Sequence, residues 1–195
     1  MGLCFPEPEA VQGLFVFISG CNMSIIEIIK DRRSIRSFQS GRAIPQELTD
    51  RFIEALIWAP SAGNLQSRKF YFVYNDALKQ ELARAALGQS FITEAPLVIV
   101  GCADLDRVKP RYGSRGVTLY APQDVAASVQ NLMLVAHEAG LGTCWIGAFD
   151  EDAVSKAMKL PAHLRPVAIV PVGYPAKKPS PPPRMTKKQA IEVIE

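Results

Sequence analysis

The sequence predicts an α+β domain in which a central mixed or antiparallel sheet is flanked by helices. Helix-like and strand-like patterns both occur along the chain, but few of them follow a strict strand–helix–strand order, so a fully parallel sheet is not favoured. The 195 residues are 48% hydrophobic and 21% charged. This composition is typical of one globular domain that buries a substantial core.

Apolar periodicity and turn residues give the order of the predicted elements. Helices are expected at residues 24–33, 45–59, 76–87, 122–139, 151–158 and 186–194. Strands are expected at residues 70–74, 96–102 and 167–174, with a further strand-like stretch at residues 143–146. The long helix at 122–139 is apolar around most of its circumference, which indicates a place at the centre of the protein or in a subunit interface.

Residues 104–117 are polar and contain two glycines and four basic side chains, Arg107, Lys109, Arg111 and Arg115. This composition predicts a mobile loop, which is either a lid over a pocket or a plain solvated surface loop. Both interpretations stay open from the residues alone.

The first 22 residues differ in character from the rest, and we predict that they form an extension to a domain at residues 23–195. Residues 18–21 resemble a lipoprotein cleavage site, but the residues before them are acidic and carry no positive charge, so we predict no export. Four widely spaced cysteines and two histidines show no metal-binding spacing. They indicate reduced thiols in a cytoplasmic protein without a bound metal.

Membrane and nucleic-acid functions are not favoured by the composition. The longest apolar run near the start, residues 14–18, is far too short to span a bilayer. The formal net charge is only +3, and no nucleic-acid recognition motif accompanies it.

Three arginines and a serine lie close together in residues 32–36, directly after the first predicted helix. A planar guanidinium matches phosphate oxygens as a bidentate fork, and a serine hydroxyl adds a compact donor. These residues are therefore a candidate phosphate site. The alternative is a solvated basic end of a helix, where cations are favourable.

Two further stretches are rich in glycine and small polar residues. Residues 60–66 connect a predicted helix to a strand, where a loop can bring its backbone close to a ligand, although an ordinary connection has the same composition. Residues 140–149 contain three glycines around a strand-like centre, but the spacing is not a dinucleotide-binding fingerprint. No nucleophilic triad or carboxylate pair is apparent, so an enzyme of this kind needs a cofactor that carries the chemistry.

At these stretches the sequence resembles the flavin-dependent nitroreductases, from about residue 23 to residue 184. The matching features are residues 32–36, residues 60–66, the helix and glycine segment at 124–147, and residues 172–175 with the basic tail behind them. The resemblance implies a nitroreductase-like fold with a long central helix. It also implies an intertwined homodimer with two FMN sites at the subunit interface.

The resemblance also assigns roles to residues of this chain. The 32–36 segment and the tail would bind the FMN phosphate, with Lys187 as the alternative to Arg184. The 60–66 loop would reach the flavin from the other subunit, and Ile146 and Gly147 would place main-chain groups near the flavin N5. The residues implied to bind the cofactor are Arg32, Arg33, Ser34, Arg36, Pro60, Ser61, Ala62, Asn64, Ile146, Gly147 and Arg184.

The implied activity is a ping-pong oxidoreductase reaction without a catalytic side chain. NADH or NADPH would deliver hydride to FMN and leave, and a nitroaromatic, quinone or similar electron-poor acceptor would then be reduced at the same flavin face. The alternatives are a relative of the same fold that fragments FMN or dehalogenates reductively, and a flavin-binding protein without turnover. One departure from the family is Ser67-Arg68, which stands where Pro-Trp is usual, removing an apolar wall and adding charge.

Overall fold

The structure, a computed structural model, describes residues 23–195. The predicted extension at residues 1–22, together with Cys4 and Cys21, lies outside the described residues. Whether the domain boundary falls at residue 23 therefore stays a prediction.

The centre of the molecule is a four-stranded antiparallel sheet in the order β1-β2-β4-β3. The strands are β1 (Arg68–Val73), β2 (Leu97–Asp104), β3 (Gly142–Thr143) and β4 (Leu164–Gly173). The middle strands β2 and β4 are buried along almost their whole length, as their continuous apolar runs require. The α+β prediction is confirmed, with an antiparallel rather than a mixed sheet.

The helices are α1 (Ile25–Asp31), α2 (Gln46–Ile57), α3 (Asp76–Ala85), α4 (Phe91–Glu94), α5 (Leu105–Arg115), α6 (Ala121–Glu138), α7 (Glu151–Met158) and α8 (Lys187–Ala190). Several begin at the side chains that favour helix starts. Ser24 and Glu27 form a capping box at α1, and Asp150 accepts the backbone N–H of Ala153 at α7. Glycine in the left-handed conformation follows α6, where Gly140 has φ 76°.

Alternating side chains divide the interior into two cores, one on each face of the sheet. Val98, Val100 and Ile169 pack on one side with α3, α4 and α7. Ile99 and Val170 pack on the other side with α2 and the long helix α6. The period of two along each strand therefore accounts for the layer order of helices, sheet and helices.

The prediction of a mobile loop at residues 104–117 is wrong. The stretch forms α5, followed by a π-helical turn at Gly116–Tyr120. The Asp104 carboxylate accepts the backbone N–H of Arg107 at the start of the helix, and Val108 is fully buried. Gly113, with φ 54°, interrupts the helix near its end. The Asp104 cap and the burial of Val108 stabilise this helix, which the polar composition of the stretch did not predict.

Two predicted elements are shorter than expected. The terminal helix comprises only Lys187–Ala190, and β3 only Gly142–Thr143, although Ile146 pairs again with Ile169 beyond it. Short edge elements depend on neighbours more than on their own propensity, so periodicity places them poorly.

The isoleucine-rich face of α1 is mostly exposed. Ile28 is buried at 7% exposure, whereas Ile25 is 63%, Ile26 51% and Ile29 46% exposed. Ile53, Ile57 and Trp58 at the end of α2 are exposed as well. Among the helices at residues 23–195, none has the length and apolarity needed to cross a bilayer.

Candidate functional site

A basic pocket lies between the end of α1 and the C-terminal arm, residues 174–184, which follows β4. It encloses about 290 Å³ and is lined by Arg32, Arg33, Ser34, Arg36, Pro179, Ser180, Pro182 and Arg184. We call it the arginine pocket. Two hydroxyls and four guanidiniums face one cavity, and no carboxylate belongs to its described lining. Lys187, the alternative to Arg184, is not part of this lining.

Backbone pairing with β3 holds the 32–36 segment in place. The N–H of Ile35 donates to the carbonyl of Thr143 at 2.9 Å. Ser34 and Thr143 thereby form an isolated parallel β-bridge. The Ile35 side chain packs against Gly142, where a Cβ atom would lie 2.5 Å from Ile35 Cγ1. Gly142 therefore permits the close approach that places the flanking arginines in the pocket.

The C-terminal arm, residues 174–184, forms the opposite wall. Its first part is fixed by backbone bonds from Gln39 to Tyr174 and from Ala176 to Ser37. Lys178 Nζ then contacts Asp31 Oδ2 at 2.6 Å, which ties the arm to the end of α1. These contacts bring Arg184 to the arginines at residues 32–36, although about 150 residues separate them in the chain.

The pocket is electrostatically suited to an anion. Burial lowers the pKa of Arg32, and the neighbouring charges of Arg184 and Arg33 lower it further. Burial raises the pKa of the adjacent Cys144 thiol, against the opposing effect of Arg36 and Arg32. The thiol therefore provides little negative charge to balance the neighbouring arginines. An anion that binds between these arginines stabilises their charged form.

Arg33, one of the residues that line this pocket, has a buried polar atom without a partner. Arg33 Nη1 donates to the carbonyls of Lys30 and Arg32, but its Nε is buried without a hydrogen-bond acceptor among the described residues. An unsatisfied buried donor is costly and calls for an acceptor. A phosphate monoester, with several charged oxygens, fits the set of guanidiniums that line the pocket.

The 60–66 loop is held at the N-terminal end of α6. Asp124, in the first turn of α6, is buried, and its Oδ1 accepts the N–H of Ala62 at 2.9 Å. Asp124 Oδ2 lies 3.4 Å from the N–H of Ser67. Ser61 Oγ accepts the N–H of Gln66 at 3.0 Å. The Asn64 side chain is exposed and makes no hydrogen bond to the described residues.

Arg68 has a role that the sequence did not suggest. Its guanidinium donates to the carbonyls of Ile57 at 2.9 Å, Ala59 at 2.7 Å and Pro60 at 3.0 Å. Burial lowers the pKa of this side chain, while the nearby Asp124 raises it. The only sequence signal was that charge replaces the usual aromatic residue at this position.

Ile146 and Gly147 are in different environments. The N–H and C=O of Ile146 both pair with Ile169, at 2.9 and 3.0 Å, so its main chain is fully used. Gly147 is exposed, and its N–H has no partner within residues 23–195. Cys144 lies beside the arginine pocket. Gly147 is three residues further along the chain, so it is at most about 11 Å from Cys144. The main-chain donor that remains for a ligand is therefore that of Gly147.

The predicted site residues form two groups within one chain. Arg32, Arg33, Ser34, Arg36 and Arg184 meet in the arginine pocket. The 60–66 loop lies elsewhere, because it contacts Asp124 whereas the pocket lies near His137. These two residues are 13 positions apart in α6, which corresponds to about 20 Å along a helix axis.

Within residues 23–195 no cluster of three or more histidine, cysteine or acidic side chains could hold a metal ion. Cys102 and Cys144 are buried free thiols.

Comparisons with known proteins identify the family. The family model "Nitroreductase family" matches residues 29–91 and 84–174, more than half of the chain. A candidate NADH dehydrogenase/NAD(P)H nitroreductase of Methanothermobacter thermautotrophicus is 32% identical over 161 residues, which cover 80% of each chain. The FMN reductase (NAD(P)H) of Bacillus subtilis is 29% identical over 178 residues, covering 84% of this chain and 71% of the relative.

A solved structure agrees with the fold. The NADPH:FMN oxidoreductase from Vibrio harveyi complexed with NAD+ superimposes with a TM-score of 0.80 at 26% identity, covering 88% of this chain and 77% of the other. The α+β architecture with its long central helix is shared along most of both chains. By the family model and the relatives together, the chain belongs to the nitroreductase family.

Proposed function

We propose that the protein is an FMN-dependent oxidoreductase that takes electrons from NADH or NADPH and passes them to nitroaromatic, quinone or similar electron-poor acceptors. The observation that carries the proposal is the arginine pocket, whose donors fit a phosphate monoester. Family membership supports it, as do relatives named for FMN and NAD(P)H. A cytoplasmic location is in keeping with the buried free thiols.

FMN, when bound, supplies the chemistry: its ring accepts hydride from the nicotinamide and returns electrons to the acceptor. The residues of the chain bind and orient it. Arg32, Arg36 and Arg184 would hold the phosphate by charge-assisted hydrogen bonds, and Arg33, whose Nε has no partner, would gain an acceptor. The exposed N–H of Gly147 would be the main-chain donor available to the flavin ring near N5.

A homodimer completes this site. The 60–66 loop and the arginine pocket lie at opposite ends of α6, so one chain does not bring Asn64 to a ligand held by its own arginines. A second copy would supply its loop instead, so that the free amide of Asn64 would be available to the flavin ring from the partner chain. The exposed isoleucines of α1 and the apolar end of α2 give such a pair an apolar surface to bury.

The proposal is tested with the purified protein under anaerobic conditions. We expect a yellow protein with a flavin absorption band that bleaches on addition of NADH or NADPH. The band returns when a nitroaromatic compound or a quinone is added. Failure to bleach with either nicotinamide leaves only a flavin-binding protein without turnover. Irreversible loss of the flavin, with breakdown products in solution, indicates the FMN-fragmenting chemistry instead.

A further inference from the structure

The 60–66 loop is held in an unfavourable backbone conformation. Gly63, Asn64 and Gln66 have φ values of 55°, 55° and 53°. Residues other than glycine adopt the left-handed region only where the surrounding structure holds them there. Two such residues in one short loop, one of them the exposed Asn64, point to restraints that maintain a particular presentation of this side chain.

The carbonyl side of the loop is restrained by guanidiniums. Arg68 donates to three carbonyls within four residues, those of Ile57, Ala59 and Pro60, at 2.7–3.0 Å. These groups include the last carbonyl of α2 and the residue with which the loop begins. Arg107 Nη1 adds a bond to the carbonyl of Gln66 at 3.1 Å, so both ends of the loop are fixed.

The N–H side of the loop is restrained by a carboxylate. Asp124, buried at 4% exposure, accepts the N–H groups of Ala62 and Ser67. Opposite charges thus hold opposite sides of the same backbone, the carbonyls facing arginine and the amides facing aspartate. These bonds restrain both sides of the loop backbone. The Asn64 side chain is exposed and makes no hydrogen bond to the described residues.

We propose that Arg68 is a positioning residue, which holds the 60–66 loop in the conformation that presents Asn64 to the cofactor site. Its guanidinium acts through the backbone, by hydrogen bonds to the carbonyls at and just before the start of the loop. The consequence for turnover rests on the proposed function above. The restraint on the loop itself does not, since it concerns hydrogen bonds within one chain.

The chemistry of arginine explains why this position holds a guanidinium. A flat fork with several donors can bind three carbonyls that end a helix and begin a loop, and its charge complements the negative end of α2. A lysine ammonium at the same place lacks the fixed fork, so it restrains fewer carbonyls at once. The tryptophan usual at this position has a single donor, its indole N–H, so it cannot bind three carbonyls at once.

The test compares Arg68→Met, Arg68→Lys and a control, Arg84→Met, which removes an exposed arginine on α3. Backbone hydrogen exchange is measured by mass spectrometry on peptides covering residues 60–67, with and without FMN. We expect exchange in this loop to be about 10- to 100-fold faster in Arg68→Met, as for the loss of charged hydrogen bonds. Arg68→Lys should be intermediate, and Arg84→Met should match the wild type.

Kinetics then separate positioning from general stability. With FMN-loaded enzyme we expect kcat to fall in Arg68→Met, while the preference for FMN over riboflavin is kept, because the arginine pocket lies at the other end of α6. Unchanged loop exchange in both Arg68 variants overturns the proposal, and so does faster exchange with wild-type kcat. A wild-type protein that binds no FMN refutes the proposed function instead, and if Arg68→Met does not fold, Arg68→Lys provides the same comparison.

Discussion

Asp124 accepts a hydrogen bond from the backbone N–H of Ala62 at 2.9 Å, which fixes the 60–66 loop to the first turn of α6. At the last turn of the same helix, His137 lies 3.1 Å from Asp31, beside the arginine pocket. One buried helix therefore sets the distance between the two groups of predicted site residues. In the proposed homodimer, this distance would pair the arginine pocket of one chain with the 60–66 loop of the other.

The double variant Arg32→Ala/Arg36→Ala should lose FMN. Charge-assisted hydrogen bonds are worth about 1.5–3 kcal/mol each, so removing two raises the Kd roughly 100- to 10,000-fold. Equilibrium dialysis measures the change, and Arg84→Ala is the matched control because it removes one exposed arginine outside the pocket. Retention of the flavin by the double variant at low protein concentration would place the phosphate elsewhere.

Replacing Asp124 by alanine should destabilise the fold. The change leaves the N–H groups of Ala62 and Ser67 without their buried acceptor, at a cost of about 1–3 kcal/mol for each unsatisfied group. Asp124→Asn keeps one acceptor oxygen and should lose less. Urea unfolding of both variants measures the difference, and equal stability of Asp124→Ala and the wild type would contradict this role.

Gly142→Ala should disturb the arginine pocket from behind. A Cβ atom there would lie 2.5 Å from Ile35 Cγ1 and 2.8 Å from Ile35 Cβ, so the 32–36 segment must shift. We expect a loss of about 1–3 kcal/mol in the free energy of unfolding, as for overpacking elsewhere, together with weaker FMN binding. Gly147→Ala is the control for stability, since its nearest neighbour would lie 3.7 Å away. Equal stability of the two variants would exclude a tight contact at Gly142.

The free energy of unfolding should fall above about pH 8.5, where the thiols of the unfolded chain ionise. Burial raises the pKa of Cys102 to about 12, so the native state keeps a proton that the unfolded state releases. This one thiol contributes a slope of up to about 1.4 kcal/mol per pH unit. Urea unfolding between pH 8 and 10.5 should show a shallower decline for Cys102→Ala than for the wild type. Identical slopes would mean that Cys102 is not protected from solvent.

The parts of the fold that were predictable follow from strong local patterns. The buried run of β2, the long apolar helix α6 and the short helix α7 are each encoded by residues close together in the sequence. Helix α5 was missed because its stability comes from a cap and from Val108 packing into the core, neither of which polar composition reveals. Tertiary contacts outweighed the composition there.

The site was predictable only in part, for a similar reason. The arginines at residues 32–36 stood out as a phosphate motif, but the arm that brings Arg184 to them is positioned by Lys178 and Asp31, which no local pattern connects. The role of Arg68 depends on the C-terminal end of α2 lying beside β1. Roles that depend on contacts between residues far apart in the sequence can be recognised only in the folded structure.

The most direct test of the arginine pocket compares the binding of FMN and riboflavin to the wild-type protein by isothermal titration calorimetry. The two ligands differ only in the phosphate. Two or more charge-assisted contacts predict that FMN binds at least about 100-fold more tightly than riboflavin, and that Arg32→Ala/Arg36→Ala removes most of this preference. Equal affinity of the wild type for both ligands would contradict the phosphate site.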